Sequence, residues 1–223
     1  MYPIRKTILG AGILLGALSS VHAQGGTQYN VAVVSNYMFR GISQTDNHGA
    51  LQGGVDYKDA GGLYAGVWGT TQDIPNTRAH VRVDGYAGFA YQSQNGLGFD
   101  INARAYSNAF VVAGQDRDFF WELQGALNFG PAMFGMAHDF DNKDSYAGFG
   151  LKYDLGSEVM LNLHIGHYFI KSPDLADDYT DFGIGISRMF NSLEASLAVT
   201  DSTQDPDNDL NDLTLILSGK YLF

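Results

Sequence analysis

The sequence predicts an all-β fold: a transmembrane antiparallel β-barrel of about 12 strands, with both termini periplasmic. Three observations lead there. From Tyr29 onward, apolar and polar residues alternate with a period of 2 in successive runs. Most runs are about 10 residues long, which suits a tilted membrane-crossing strand, whereas sandwich strands are commonly about 5–6. The connections also alternate, longer and polar after odd-numbered runs and mostly shorter after even-numbered ones, the loop asymmetry of a membrane barrel. The last run then ends the chain: Leu213, Leu215, Leu217, Gly219, Tyr221 and Phe223 share one face, with aromatics only at the end, where an aromatic girdle sits.

The runs follow in order. The first sets Tyr29, Val31, Val33, Tyr37 and Phe39 against Asn30, Ala32, Asn36 and Arg40, and the polar stretch 41–49 follows. The second places Leu51, Val55 and Tyr57 opposite Gln52, Asp56 and Lys58 and ends at the tight-turn signal Asp59-Ala60-Gly61-Gly62. The third, Leu63 to Gln72, is the least regular. In the fourth, Val81, Val83, Ala87, Phe89 and Tyr91 oppose His80, Arg82, Asp84 and Tyr86, and Gln94-Asn95-Gly96 turns the chain. The fifth sets Leu97, Phe99 and Ile101 against Asp100, Asn102, Arg104 and Tyr106; the sixth, Trp121, Leu123 and Leu127 against Glu122, Gln124 and Asn128. In the seventh, Ala132 to Phe140, His138 shares a side with Phe134 and Met136. The eighth pairs Phe149, Leu151 and Tyr153 against Tyr146, Lys152 and Asp154; the ninth, Leu163, Ile165 and His167 against Asn162, His164 and Tyr168. The tenth sets Phe182, Ile184 and Ile186 against Asp181 and Ser187, and the eleventh Leu193, Leu197 and Val199 against Glu194 and Ser196. The acidic loop 201–211 leads to the twelfth. Ten strands would result if the third and seventh runs were loops.

Composition bounds the rest. A chain of 223 residues allows one barrel, and the absence of Cys excludes a disulfide framework, thiol chemistry and a lipid-anchor cysteine. Glycine (28 residues) and aromatics (13%) are abundant, yet no run in the body is long enough for a transmembrane helix. Residues 1–23 read as a cleaved secretory signal peptide: a basic start at Arg5 and Lys6, an apolar stretch from Ile8 to Leu18, and Val21-His22-Ala23 before Gln24. Residues 24–223 are then the barrel domain. Losing the leader's two cations takes the formal charge from -11 to -13, and so acidic a protein repels nucleic acid.

Charge follows the same alternation. Asp56, Arg82, Asp84, Asp100, Arg104, Glu122, Lys152, Asp154, Glu194 and Lys220 all lie opposite the apolar faces and are expected to line the pore. A basic group turned to lipid at the bilayer midplane would cost about 2–4 kcal/mol. His138, His167 and Arg188 fall with the apolar set and are expected near strand ends, within reach of the interface. Arg40, Asp205, Asp207 and Asp209 are expected at the mouth.

The phrase Phe39-Arg40-Gly41-Ile42-Ser43-Gln44-Thr45, followed by Ala50-Leu51-Gln52-Gly53, resembles the TorF family of porins. The resemblance covers roughly the first third of the mature chain. It implies a Gram-negative outer-membrane β-barrel and supplies no substrate. Tyr221 and Phe223 also look like the carboxy-terminal signal by which such proteins reach the barrel assembly machinery. Arg40, read at the top of the first strand, could bind or screen anions; the commoner use of such a residue is an ion pair with an acid on a neighbouring strand that holds the loop down.

Other chemistry finds little support. His80, His138, His164 and His167 are available for a Ser-His hydrolytic pair with Ser145 or Ser187, but none of these serines lies in a Gly-x-Ser-x-Gly elbow. Asp205, Asp207 and Asp209 alternate as a calcium loop begins, yet Pro206 intervenes and Ile216 stands where the bidentate Glu belongs. No metal or other cofactor is expected. The function expected is passive diffusion of small hydrophilic solutes with weak cation preference, the partners being outer-membrane lipid and lipopolysaccharide. The alternatives are an outer-membrane lipase, deacylase or protease and a plugged structural or adhesive barrel.

Overall fold

The structure, a computed structural model, describes residues 25–73, 80–109, 119–171, 177–204 and 209–223. The leader expected over 1–23 lies outside these residues, as do Asp205 and Asp207. In chain order the strands are β1 (Gly26–Val34), β2 (Met38–Phe39), β3 (Ile42–Ser43), β4 (Ala50–Lys58), β5 (Leu63–Thr71), β6 (Val81–Gln92) and β7 (Leu97–Ala109). They continue as β8 (Phe119–Phe129), β9 (Ala132–Asp139), β10 (Ser145–Gly156), β11 (Val159–Phe169), β12 (Tyr179–Phe190), β13 (Leu193–Ser202) and β14 (Thr214–Leu222), with one 3₁₀ turn at Asp209–Asn211. Twelve of them form a closed antiparallel barrel in the order β1-β14-β13-β12-β11-β10-β9-β8-β7-β6-β5-β4, and β2 pairs only with β3. Closure is made by β1 against β14, in a register running from Asn30↔Leu222 to Val34↔Ser218. Both irregular runs of the sequence pattern are strands, β5 and β9.

The first run requires a correction. It does not reach Arg40 as one strand: β1 stops at Val34, and the Ser35 amide makes a last bond to Leu217 O at 2.8 Å. The chain then turns into the lumen, where β2 and β3 form a small hairpin. Tyr37 and Phe39 keep the alternation of β1, so periodicity alone cannot separate an outward strand from an inward hairpin.

Alternation otherwise sets the two faces. Every barrel strand exposes large apolar side chains outward: along β14, Leu215, Leu217 and Tyr221 are 60%, 58% and 44% exposed. The opposite faces carry the polar and charged residues. His138, His167 and Arg188 do face outward, each within two residues of a strand end. The histidines are tied to cross-strand hydroxyls, His138 Nδ1 to Ser145 Oγ and His167 Nδ1 to Thr180 Oγ1, both at 2.9 Å. The two barrel ends differ. Connections 59–62, 93–96, 130–131, 157–158 and 191–192 are short and share an end with the start of β1 and the finish of β14. Outward aromatics, among them Tyr57, Tyr91, Phe129, Tyr153, Phe190 and Tyr221, ring that end.

Inside, aromatic rings lie across glycines of the next strand. Tyr86 stands opposite Gly66, Tyr64 opposite Gly88 and His164 opposite Gly183. A Cβ on these glycines would come within 2.6–2.8 Å of the opposing ring atoms, so only glycine lets the rings lie flat on the wall.

The outer face yields a direct test. Leu217→Arg, in the middle of β14, is expected to destabilise the barrel in lipid vesicles by about 2–4 kcal/mol, whereas Ser218→Asn on the lumen face changes stability by less than about 1 kcal/mol. Urea unfolding in vesicles measures both; equal losses would contradict the assigned facing.

Candidate functional site

The segment between β1 and β4 is the candidate site. Phe39 pairs with Ile42, so Arg40 and Gly41 are the two central residues of the β2–β3 turn, and both have positive φ, 49° and 77°. That is the mirror-image hairpin geometry, which suits right-twisted strands but strains a non-glycine residue by about 1–2 kcal/mol. Gly41 is required twice over: besides its φ, a Cβ there would stand 2.7 Å from Asp181 Cβ and 2.8 Å from Ser202 Cβ.

The root of the segment is organised by Asn36. Its Oδ1 accepts from Ser43 Oγ at 2.7 Å and Thr45 Oγ1 at 3.0 Å, while its Nδ2 donates to Asn47 Oδ1 at 2.8 Å. Thr45 Oγ1 in turn accepts from the Tyr37 amide at 3.1 Å. These bonds satisfy the backbone that leaves the sheet and explain a polar Ser-Gln-Thr sequence at a buried place.

Arg40 carries the hairpin tip across the lumen. Its Nη2 lies 3.1 Å from Glu122 Oε2 on β8, and both side chains are 1% exposed. The same carboxylate oxygen accepts from Tyr106 Oη at 2.9 Å and Gln124 Nε2 at 3.0 Å. The guanidinium lies over the rings of Tyr146 at 4.4 Å and Tyr168 at 4.9 Å. Beside it, Arg82 is held by Asp84 through two bonds, Nε to Oδ1 at 2.8 Å and Nη2 to Oδ2 at 3.2 Å, and lies between Phe39 and Tyr106, 4.7 and 4.5 Å from their ring centres. Arg104 Nη1 approaches Asp84 Oδ2 at 3.6 Å and covers Tyr86 at 4.3 Å. Three arginines are thus interleaved with aromatics and matched by two carboxylates. Each cation–π contact contributes about 0.5–2 kcal/mol in so desolvated a place.

Asp181 forms a second centre on β12. Tyr146 Oη donates to its Oδ2 at 2.8 Å, and His164 Nε2 lies 2.7 Å from its Oδ1. At the rim of this sector, Asp144 accepts the Lys171 amide at 2.8 Å, and its burial pushes the carboxyl above the usual carboxylate range, the amide partly opposing this.

The other sequence candidates are placed as follows. Asp56 accepts from Tyr86 Oη, and Asp100 from Tyr64 Oη at 2.8 Å. Glu194 faces Lys220 in register across β13 and β14. Lys152 and Asp154 are exposed near the short-turn end of β10, where Asp154 caps the Gly156 amide at 2.7 Å. Arg40 is not a mouth residue on a strand top, because the hairpin carries it inward to 4% exposure and its partner acid lies across the lumen. Asp209 is exposed beside the segment, its carbonyl accepting from Asn47 Nδ2 at 3.0 Å. Tyr221 and Phe223 face outward, with ring centres 4.9 Å apart. His138 has Ser145 beside it, but no described side chain bonds its other ring nitrogen, so the pair lacks the third group of a hydrolytic triad. Sequence reasoning did not single out Tyr106, Tyr146 and Tyr168 as site residues; their signal was their place on the polar side of otherwise apolar alternation.

Removing one charge of the buried pair strands the other. Arg40→Met is expected to lower stability by about 3–5 kcal/mol, and the double variant with Glu122→Met to recover much of that loss. Denaturant unfolding of the four proteins in one detergent measures the coupling; additive losses would mean that the pair does not hold the hairpin.

The comparisons bear on this fold. No curated protein matches the chain. Among solved structures, the KdgM porin superposes with a TM-score of 0.59 at 9% identity, over 88% of this chain and 98% of that one. The KdgM porin in complex with disordered oligogalacturonate has the same TM-score, identity and coverage. Acinetobacter baumannii OccAB2 gives a TM-score of 0.47 at 13% identity, over 92% of this chain and 66% of that one. The fold is therefore the one that the KdgM porin has. The profile of the family described as "Bacterial protein of unknown function (Gcw_chp)" matches residues 21–213. The chain belongs to the Gcw_chp family.

Proposed function

We propose that the protein is an outer-membrane channel of porin type, through which small hydrophilic solutes diffuse passively with a weak preference for cations. The observation that carries this reading is the pairing of an apolar outer wall with a polar lumen constricted by a pinned hairpin. A continuous belt of exposed apolar side chains belongs against lipid. A closed barrel of twelve strands encloses more than the side-chain-filled interiors of about eight, and less than the open channels of about 16–18. The hairpin narrows it further, so the conductance is small. The tip of that hairpin is the Phe-Arg-Gly-Ile-Ser-Gln-Thr phrase that resembles the TorF family of porins, and the fold shared with the KdgM porin supports the same reading.

On this reading the short-turn end and both termini are periplasmic. Lipid and lipopolysaccharide surround the apolar belt, and the barrel assembly machinery reads Tyr221 and Phe223. Cation preference follows from the rim, where Asp46, Asp73, Asp141, Asp177, Asp178 and Asp209 are exposed against Lys143 and Lys171. A basic ladder of Arg82 and Arg104 is the competing source of selectivity, but Asp84 lies between the two and neutralises much of it. The second reading, a plugged structural barrel, is favoured by the burial of Phe39 and Arg40 inside the lumen.

Planar-bilayer recording separates them. The expected result is small steps with a reversal potential favouring cations, fading as salt is raised and the Debye length shrinks below about 8 Å. Arg40→Ala should increase the step by releasing the hairpin. No step from the wild type or from Arg40→Ala would establish the plugged reading. Anion preference abolished by Arg82→Ala with Arg104→Ala would put the ladder in control.

A further inference from the structure

A cavity of about 220 Å³ lies between the β2–β3 hairpin and the wall made by β11–β14. At about 30 Å³ for each water it has room for roughly seven, or for one small organic solute. The wall is low at Gly185 and Ala198, the His164 ring lies across Gly183, and Met38 and Ile216 add apolar patches. Two groups border it with hydrogen-bonding capacity to spare. The Asn162 amide has no side-chain or backbone partner among the described residues. Among the described residues His164 bonds only through Nε2, to Asp181.

We infer that this cavity is a binding subsite for a neutral, polyhydroxylated solute of monosaccharide size, an inference that rests on the channel reading above and names the class of solute the constriction selects. Groups of both signs line the cavity, Arg40 paired with Glu122 and Asp181 bonded to Tyr146 Oη and His164 Nε2. An anion brought in would be desolvated beside the Asp181 carboxylate, and a cation beside the Arg40 guanidinium, each against a like charge. A hydroxyl both accepts and donates, so it can accept from Asn162 Nδ2 and donate a hydrogen bond to Asp181. The C–H face of a sugar ring fits the Met38 and Ile216 patches, and the small residues Gly185 and Ala198 give the ring room.

Glucose, glucuronate and glucosamine share one ring and differ in charge, so they serve as probes. Saturation-transfer NMR on the detergent-solubilised barrel reads binding without requiring conduction. The expected order is glucose above both charged analogues, with the glucose signal reduced at least about fivefold by Asn162→Leu and by Ala198→Met, which fills the cavity without deleting a hydrogen bond; fivefold corresponds to about 1 kcal/mol. Stronger binding of glucuronate or glucosamine, or glucose binding unchanged in both variants, would overturn the inference. Salt conductance with no sugar binding would overturn it too while leaving the channel standing. Sugar binding without any conductance would keep the subsite and remove the channel.

Discussion

Closure of the sheet is the constraint on which everything else in this molecule depends. Once β1 pairs with β14, with Val33 opposite Gly219, no barrel strand has a free edge and the ladder satisfies the strand backbones internally. The sheet then has only an outside and an inside, and alternate residues must go to one or the other. Apolar residues go out, where they are exposed. Charged residues go in, where the lumen is narrow enough that several lose contact with bulk water. Buried charge must find partners, and the lumen is accordingly a network: Arg82 with Asp84, Arg40 with Glu122, and tyrosine hydroxyls on Glu122, Asp100 and Asp181.

The glycine content follows from the same geometry. A lumen this narrow cannot hold tyrosines standing upright on every wall. Tyr64, Tyr86 and His164 lie down across the facing strand instead, which requires glycine at Gly88, Gly66 and Gly183. The large residue and the small one are thus a single packing unit formed across strands. One consequence is an uneven lumen. The sector of β6–β8 carries Arg82, Arg104 and the carboxylates of Asp84 and Glu122 that pair with the arginines, while β12 and β13 present a lower wall at Gly185 and Ala198. The cavity beneath the hairpin lies against that lower wall.

The hairpin tip combines costs that a freely chosen loop would avoid. Arg40 adopts a left-handed backbone conformation, buries a guanidinium and leaves one of its nitrogens without an acceptor. A buried ion pair of this kind seldom adds net stability over an apolar pair of the same volume. What it supplies is position. Glu122 is already fixed by Tyr106 and Gln124, and Tyr146 and Tyr168 form the floor for the guanidinium, so the tip has one resting place in the lumen. Strain concentrated at a constriction is where it serves function, since the same contacts that hold the tip also shape the space beside it.

By itself the sequence determined the class of fold and the facing of nearly every strand residue, and it left the strand count at about 12 with ten as the alternative. Period-2 alternation is a local property, and the burial of Arg82, Asp84 and Glu122 against the exposure of Val31, Leu123 and Leu217 can be read from neighbours two residues away. The same local rule misread Tyr37 and Phe39, because an inward hairpin alternates like the strand before it. Arg40 was recognisable as unusual but was placed at a rim. Only the tertiary structure could bring it to Glu122, 82 residues away along the chain and five strands around the barrel. That meeting depends on strand order and on a turn into the lumen, and neither leaves a periodic trace. The cavity has the same origin: its walls come from β11–β14 and its roof from β2 and β3, which become neighbours only when the sheet closes around the hairpin.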